Sequence, residues 1–216
     1  MQTKCSSAFL NDSKHPDDLD MGGEGNFSIK FWGVRGSVPC PGPKTVRYGG
    51  NTTCIEINCG SHLLIIDAGS GIRELGLDLN KRGGIVDADI FFTHTHLDHI
   101  IGFPFFGPFY NPQNSFNLYA GNLEPPHDLE DVLKNMIIHD PVFPVPASVI
   151  LGSCAFKDFN SGEELNPRQD VIINTGPLNH PNGACGYRVE YQDHAVAVIT
   201  DTEHPEEGMD DNVLQL

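Results

Sequence analysis

The positions of hydrophobic residues along the chain predict many strands and few helices. Apolar and polar residues alternate over residues 27–32, as in a half-buried strand. Strands are also predicted at 53–59 and 62–67, and because only two residues separate them we expect an antiparallel pair. Residues 69–82 instead carry apolar side chains at helical spacing, and two glycines follow that would end this helix.

The second part of the chain continues the succession of strands and loops. Further strands are predicted at 88–92, 116–120, 147–159, 171–173, 186–191 and 195–200. A helix is predicted at 128–138 with Asp128 as its N-cap, and prolines keep residues 139–146 irregular. Residues 1–26 are rich in Ser, Asp and Gly, so we expect a flexible N-terminal tail before a single domain at 27–216. This order of elements favours an α/β sandwich with helices outside its sheets.

Composition limits the classes of partner. The chain has 216 residues with 29 Asp and Glu against 13 Lys and Arg, which gives a formal net charge of −16. Such a charge repels polyanions, so long nucleic acid is an unfavourable partner, whereas bound divalent cations would still attract a small anion. No apolar run has the length of a membrane span or the form of a signal peptide, and the six cysteines include no C-x-x-C pair. We therefore expect a cytoplasmic protein with free thiols and no membrane partner.

A cluster of histidines with one aspartate follows the strand predicted at 88–92. His94 and His96 are two residues apart, so extended backbone would place both imidazoles on the same side, where one cation can take both. Asp98 and His99 come next and offer an oxygen and a nitrogen to a second cation. Three imidazoles and one carboxylate suit zinc, with manganese or iron as alternatives.

The pattern H-x-H-x-D-H resembles the signature of the metallo-β-lactamase fold superfamily, whose members are mostly hydrolases with one or two metals. Segments 31–37, 48–54, 178–181 and 200–204 are similar to a branch near ribonuclease Z and the cyclic phosphodiesterases. The resemblance implies an αββα sandwich of two mixed sheets with outer helices, and two divalent metal ions. Members of this branch continue to a last histidine far beyond the motif, whereas this chain has only His204 there, so we expect a domain that lacks its C-terminal segment.

The same resemblance implies roles for residues outside the cluster. His180 and Asp201 match the remaining metal ligands, with the aspartate bridging both ions; an ordinary loop histidine and a strand-end turn are the alternatives. Asp67 matches a carboxylate that orients the ligand histidines, or else it caps the helix that follows. Arg35 and Asn51 lie in loops expected near the strand ends, where they would contact a phosphate of the substrate or the ligand loop; solvation at the surface and loop hydrogen bonding are the alternatives.

The resemblance implies a metal-dependent hydrolase, acting as a phosphodiesterase on a small or cyclic phosphodiester through a metal-bound hydroxide. Asp98 would take part in catalysis as well as in metal binding, and His204 is a candidate proton donor to the leaving group because histidine titrates near neutral pH. Two alternatives stay open: a tRNA-processing nuclease, and a catalytically inactive metal-binding domain with a sensory or scaffolding role. A second copy of the chain also stays open as a partner.

Overall fold

The structure is a computed structural model that describes residues 19–20, 27–206, 208 and 210–216. Eleven strands are described: β1 (Leu19–Asp20), β2 (Phe27–Gly33), β3 (Cys54–Cys59), β4 (His62–Ile66), β5 (Asp87–Phe92), β6 (Ser115–Ala120), β7 (Cys154–Asp158), β8 (Glu164–Arg168), β9 (Val171–Leu178), β10 (Ala184–Tyr191) and β11 (His194–Val198). The α-helices of the same part of the chain are α1 (Gly71–Arg82), α2 (Leu97–Ile100), α3 (Leu129–Val132), α4 (Ala147–Leu151) and α5 (Asp211–Gln215). Single turns of 3-10 helix lie at Phe103–Phe105 and Gly107–Tyr110, and a π-helical turn lies at Leu133–Ile137.

The strands form two sheets. The first has the order β1-β2-β3-β4-β5-β6-β7, in which neighbours from β1 to β4 are antiparallel and neighbours from β4 to β7 are parallel. The second has the order β11-β10-β9-β8 and is antiparallel throughout. The predicted two-sheet sandwich is confirmed, but only its first sheet is mixed, because short connections join the successive strands of the second and short connections make antiparallel neighbours.

The hydrophobic core has two layers, one on each face of the first sheet. Side chains of β2 to β6 meet those of β9, β10 and β11 between the sheets, with Phe91 and Tyr187 fully buried there. On the other face, side chains of helices α1, α3 and α4 share one core cluster with Ile90 and Phe92. Helix α5 packs against β9 on the outside of the second sheet. The helices therefore flank both sheets, as the αββα prediction requires.

Most predicted elements are present, and the exceptions have a local cause. The prediction of a strand at 147–159 is wrong for its first part, because Ala147–Leu151 is a helix; a short apolar run fits either structure when only periodicity is known. Strand β8 was not predicted, since it is polar and contains Pro167, a residue that sheets accept at their edges. The predicted flexible tail at 1–26 lies outside the described residues, apart from β1.

Two further sequence expectations concern thiols and membranes. The cysteines within the described residues are free: Cys40, Cys54, Cys59, Cys154 and Cys185. None of the helices in the described part of the chain is both long and apolar enough to cross a bilayer.

The topology gathers four loops at one end of the sandwich. Strands β4 and β5 are parallel neighbours, so their carboxyl ends lie side by side. Strands β9 and β11 run in the same direction as each other, because β10 is antiparallel to both. The start of β10 is joined to the loop after β5 by a hydrogen bond in which Cys185 N–H donates to the Thr93 carbonyl oxygen at 2.7 Å. The loops after β4, β5, β9 and β11 consequently meet.

Candidate metal centre

Four histidines and an aspartate from these loops and from α2 converge. The Nε2 atoms of His94 and His180 lie 3.0 and 3.1 Å from Nδ1 of His96. Oδ2 of Asp201 lies 2.7 Å from Nε2 of His99 and 4.0 Å from Nε2 of His94. The side chains form two sets of atoms that could bind a metal ion. The first set is His94, His96 and His180, and the second is His94, His99 and Asp201. Within each set the donor atoms, one from each residue, lie within 4.8 Å of one another.

The chemistry of the first set fits a divalent cation. A tetrahedral zinc ion about 2.05 Å from each imidazole nitrogen holds those nitrogens about 3.3 Å apart, close to the two distances between the three histidines. A ligand imidazole must be neutral. Burial, followed by the charges of His99, His96 and His180, lowers the pKa of His94 to about 2, so this residue is neutral at physiological pH. The three nitrogens can therefore hold a metal ion without first losing a proton from His94.

His99 lies between two carboxylates. Its Nδ1 is 2.8 Å from Oδ2 of Asp67, and its Nε2 faces Asp201. Burial opposes the charged form, but the hydrogen bond to Asp67 and the charges of Asp67, Asp98 and Asp201 outweigh it and raise the pKa of His99. A proton on Nδ1 is directed at Asp67. A cation between His99 and Asp201 would need Nε2 without a proton, so binding there favours the neutral ring.

Asp67 is fully buried and fixes the orientation of His99. Its carboxylate accepts hydrogen bonds from Thr93 N–H at 2.8 Å and from the Thr93 hydroxyl at 2.9 Å, in addition to the bond from His99. None of these bonds reaches the N-terminus of α1, whose N-cap residue is Ser70. The carboxylate of Asp67 therefore holds the ring of His99 and does not cap the helix that follows.

Main-chain hydrogen bonds hold the segments that carry Asp67 and His99 against one another. Ala68 N–H donates to the His99 carbonyl oxygen at 2.8 Å, and Gly102 N–H donates to the Ala68 carbonyl oxygen at 2.9 Å. Helix α2 approaches the loop after β4 so closely that a Cβ on Gly102 would lie 2.1 Å from the Gly69 carbonyl oxygen. Glycine is required at this close approach, because any side chain would force the two segments apart.

The structure places the two proposed catalytic residues differently. Asp98 lies beside the cluster, with Oδ2 3.6 Å from Nε2 of His99, and this oxygen accepts a hydrogen bond from Ser37 N–H at 2.6 Å. It belongs to neither of the two donor sets. His204 is exposed, and within the described residues its side chain makes no hydrogen bond or ion pair and joins neither set. The cluster thus brings together five of the predicted ligands, with Asp98 at its side.

A cavity of about 330 Å³ adjoins His99 and Asp201 between the edges of the two sheets. Arg35 lines this cavity, and its Nε donates to the Gly49 carbonyl oxygen at 3.0 Å. The side-chain oxygen of Asn51 accepts a hydrogen bond at 3.1 Å from the hydroxyl of Ser70, the N-cap residue of α1 in the loop after β4. Arg35 is therefore positioned near the cluster, whereas Asn51 contacts the loop that also carries Asp67.

Two residues of the site were absent from the sequence analysis. Thr93 donates hydrogen bonds to Asp67, and its Oγ1 lies 3.2 Å from Nδ1 of His99. Asn182 places its Oδ1 3.2 Å from Nε2 of His96. Thr93 directly precedes the histidine motif and could have been suspected from its position. Nothing in the sequence marks Asn182 beyond its place in the turn after His180.

Solved structures of known proteins share this architecture. The metallo-β-lactamase fold protein YhfI from Bacillus subtilis matches with a TM-score of 0.56 and 15% identity, covering 82% of this chain and 63% of that one. The chain has the metallo-β-lactamase fold. Unliganded yeast PDE1 matches with a TM-score of 0.58 and 16% identity over 88% of this chain and 69% of that one. Human tRNase Z, short form, matches with a TM-score of 0.56 and 16% identity over 87% of this chain and 73% of that one.

Two curated proteins also match the chain in sequence. Ribonuclease Z of Clostridium novyi is 28% identical over 156 residues, which cover 70% of this chain and 47% of the relative. Ribonuclease Z of Clostridium tetani is 25% identical over 165 residues, 75% of this chain and 50% of the relative. The chain spans about half the length of the curated relatives it matches. No protein-family model matches the chain.

Proposed function

We propose that the chain is a metal-dependent hydrolase that acts as a phosphodiesterase on small or cyclic phosphodiesters. The observation that carries the proposal is the convergence of the imidazole nitrogens of His94, His96 and His180 beside the pair formed by His99 and Asp201. The names of relatives in sequence and in fold, ribonuclease Z and PDE1, support phosphodiesters as the substrate class. The net charge of −16 favours a small anion over a long one.

Two divalent cations would occupy the centre, with zinc the first choice for a set rich in imidazole. His94, His96 and His180 would hold one ion, and His99 and Asp98 would hold the other. The carboxylate of Asp201 would contribute to both ion sites. When bound, such ions activate water at neutral pH and neutralise charge on phosphoryl oxygens.

The side chains of the protein have separate tasks in this proposal. Asp98 is held by the bond from Ser37 N–H, so its free oxygen would accept the proton of the attacking water. Asp67 keeps Nε2 of His99 directed into the centre. The guanidinium of Arg35, on the wall of the adjoining cavity, would bind an anionic oxygen of the substrate. His204 is the proposed proton donor to the leaving oxygen.

Elemental analysis of the purified protein, together with hydrolysis of bis-p-nitrophenyl phosphate, tests this function. We expect two metals per chain with turnover, and loss of about one metal and of turnover in His180→Ala. His127→Ala is the matched control, because this histidine is exposed and, within the described part of the chain, its side chain pairs only with Asp131. A wild-type protein that binds no metal, or a His180→Ala variant that keeps its full metal content, would overturn the proposal. Metal binding without hydrolysis of any phosphodiester would favour the inactive sensory or scaffolding domain.

His204 is tested in the same assay. His204→Ala should lower the rate and leave the metal content unchanged. A rate equal to that of the wild type would remove His204 from the mechanism.

One observation favours tRNA processing as a second candidate. Residues 27–55 contain no Asp or Glu and carry four of the 13 Lys and Arg residues of this acidic chain. Lys44 and Arg47 are exposed in this segment, and Ser37 ties the same loop to Asp98. A gel shift with tRNA would distinguish the candidates: binding that disappears in a Lys44→Ala, Arg47→Ala double variant favours a nuclease, and no shift favours the small substrate.

A further inference from the structure

The turn after β9 contacts both ring nitrogens of His96. It spans residues 180–183, is closed by a hydrogen bond from Gly183 N–H to the His180 carbonyl oxygen at 2.9 Å, and has Pro181 as its second residue. Its third residue, Asn182, has φ +66°, which a type II turn requires at this position. His180 thus directs Nε2 at Nδ1 of His96 from one side, while Asn182 directs Oδ1 at Nε2 from the other.

These contacts decide which nitrogen of His96 can bind a metal ion. A neutral imidazole carries one proton, and only the nitrogen without it has a lone pair for a cation. Nδ1 is the atom that faces His94 and His180, whereas Nε2 points away from them toward Asn182. An amide oxygen accepts and cannot donate, so it favours the proton on Nε2 and leaves the lone pair of Nδ1 free.

We propose that Asn182 is a positioning residue of the metal centre, which holds His96 in the tautomer that presents Nδ1 to a cation. The inference rests on the proposed metal function of the cluster. The contact involves only Nε2 of His96, the nitrogen that faces away from the cation. Asn182 itself touches neither the cation nor the substrate. The carboxylate of Asp67 does the same for His99, so each half of the centre has its own oxygen acceptor behind a histidine.

Because Asn182 has a left-handed backbone, replacing it with glycine should lower the affinity for metal without lowering the stability of the fold. Glycine adopts φ +66° without steric cost, so Asn182→Gly removes the acceptor and does not strain the turn. We expect the Tm of the metal-free protein to stay equal or to rise, while zinc affinity, measured by competition with a chelator, falls about tenfold. Asn182→Asp restores an oxygen acceptor and should bind zinc at least as tightly as the wild type.

Gln192→Gly is the matched control. Gln192 is exposed and has φ +53° in the turn between β10 and β11, and no hydrogen bond connects it to a histidine within the described residues. This variant should change Tm as Asn182→Gly does and leave zinc affinity unchanged. Unchanged zinc affinity in Asn182→Gly, or an equal loss in Gln192→Gly, would overturn the proposal.

A measurement without metal separates this inference from the proposed function. Nitrogen-15 chemical shifts of the metal-free protein at pH 8.5 report the tautomer of His96, which we expect to carry its proton on Nε2 in the wild type and to lose this preference in Asn182→Gly. If the wild type binds no zinc but shows this pair of results, the metal function fails and the role of Asn182 in setting the tautomer stands. A proton on Nδ1 in the wild type, or no difference between the two proteins, refutes that role.

Discussion

Replacing Asp67 with Asn should weaken zinc binding by changing the tautomer of His99. The variant keeps the volume of the side chain and an oxygen that can accept from Thr93, but it turns an NH₂ group toward Nδ1 of His99. Nδ1 must then accept, so the proton moves to Nε2 and occupies the lone pair that a cation needs. Loss of an outer acceptor of this kind costs about 10- to 100-fold in metal affinity, which is about 1.4 to 2.7 kcal/mol.

The same substitution should also lower the stability of the metal-free protein. It removes a charge-assisted hydrogen bond between two groups that are almost entirely buried, for which about 1.5 to 3 kcal/mol is typical. Chelator competition measures the first effect, and urea unfolding at pH 6.5 after removal of metal measures the second. A loss of stability alone would not identify the role of Asp67, because any buried carboxylate contributes to the fold.

Asp89→Asn provides the comparison that isolates the metal effect. Asp89 is as fully buried as Asp67 and lies on β5, which leads into the histidine motif, but its partners are Arg168 and Asn117. This variant should unfold at lower urea concentration and still bind zinc within about twofold of the wild type. The reasoning is refuted if Asp67→Asn binds zinc like the wild type, or if Asp89→Asn loses as much affinity.

Three further predictions concern stability. In the metal-free protein, the unfolded chain protonates His94 near pH 6.5 whereas the fold keeps it neutral down to about pH 2, so lowering the pH from 6.5 to 5.0 should cost about 1.6 kcal/mol. The raised pKa of His99 gives stability that is present below pH 6.5 and is lost as the pH rises through the folded pKa. Urea midpoints should therefore be highest near pH 6.5, and a flat profile from pH 5 to 8 would contradict this. Arg168→Ala leaves the carboxylate of Asp89 buried with an amide as its remaining partner and should cost about 3 kcal/mol in urea unfolding, so a cost under about 1 kcal/mol is the contrary result. Gly102→Ala places a Cβ 2.1 Å from a backbone oxygen and should cost about 2 kcal/mol and weaken zinc binding, whereas a Tm equal to that of the wild type would show that α2 can move away freely.

The sequence predicts those parts of the fold in which a local pattern and the tertiary environment agree. Helix α1 was predicted because its apolar face is continuous and glycines end it, and it packs on the first sheet as expected. The hairpin of β3 and β4 follows from its two-residue connection. Helix α4 and strand β8 were missed because the run Val149 to Leu151 fits both a buried helix and a strand, and because Pro167 is acceptable only at a sheet edge, a position that no local pattern reveals.

The candidate site also contains residues that the sequence predicts and residues that it does not. His94, His96 and His99 lie within six residues of one another, so their proximity could be read directly from their spacing. His180 and Asp201 could be added only by resemblance, because what brings them together is the topology of the second sheet. Asn182 could not be predicted from the sequence, because its contact with His96 depends on the direction of one side chain at a left-handed backbone position. Sequence spacing does not reveal that direction.

The main-chain hydrogen bonds between the loop after β4 and helix α2 determine how the protein would handle its cations. Because Ala68, His99 and Gly102 are joined through backbone atoms, the segments that carry Asp67 and His99 take their places when the chain folds and need no ion to assemble them. A cation would then enter a preformed socket and could leave it without unfolding the domain. Such a centre would bind its ions without the entropic cost of ordering the loops around them, which favours tight binding.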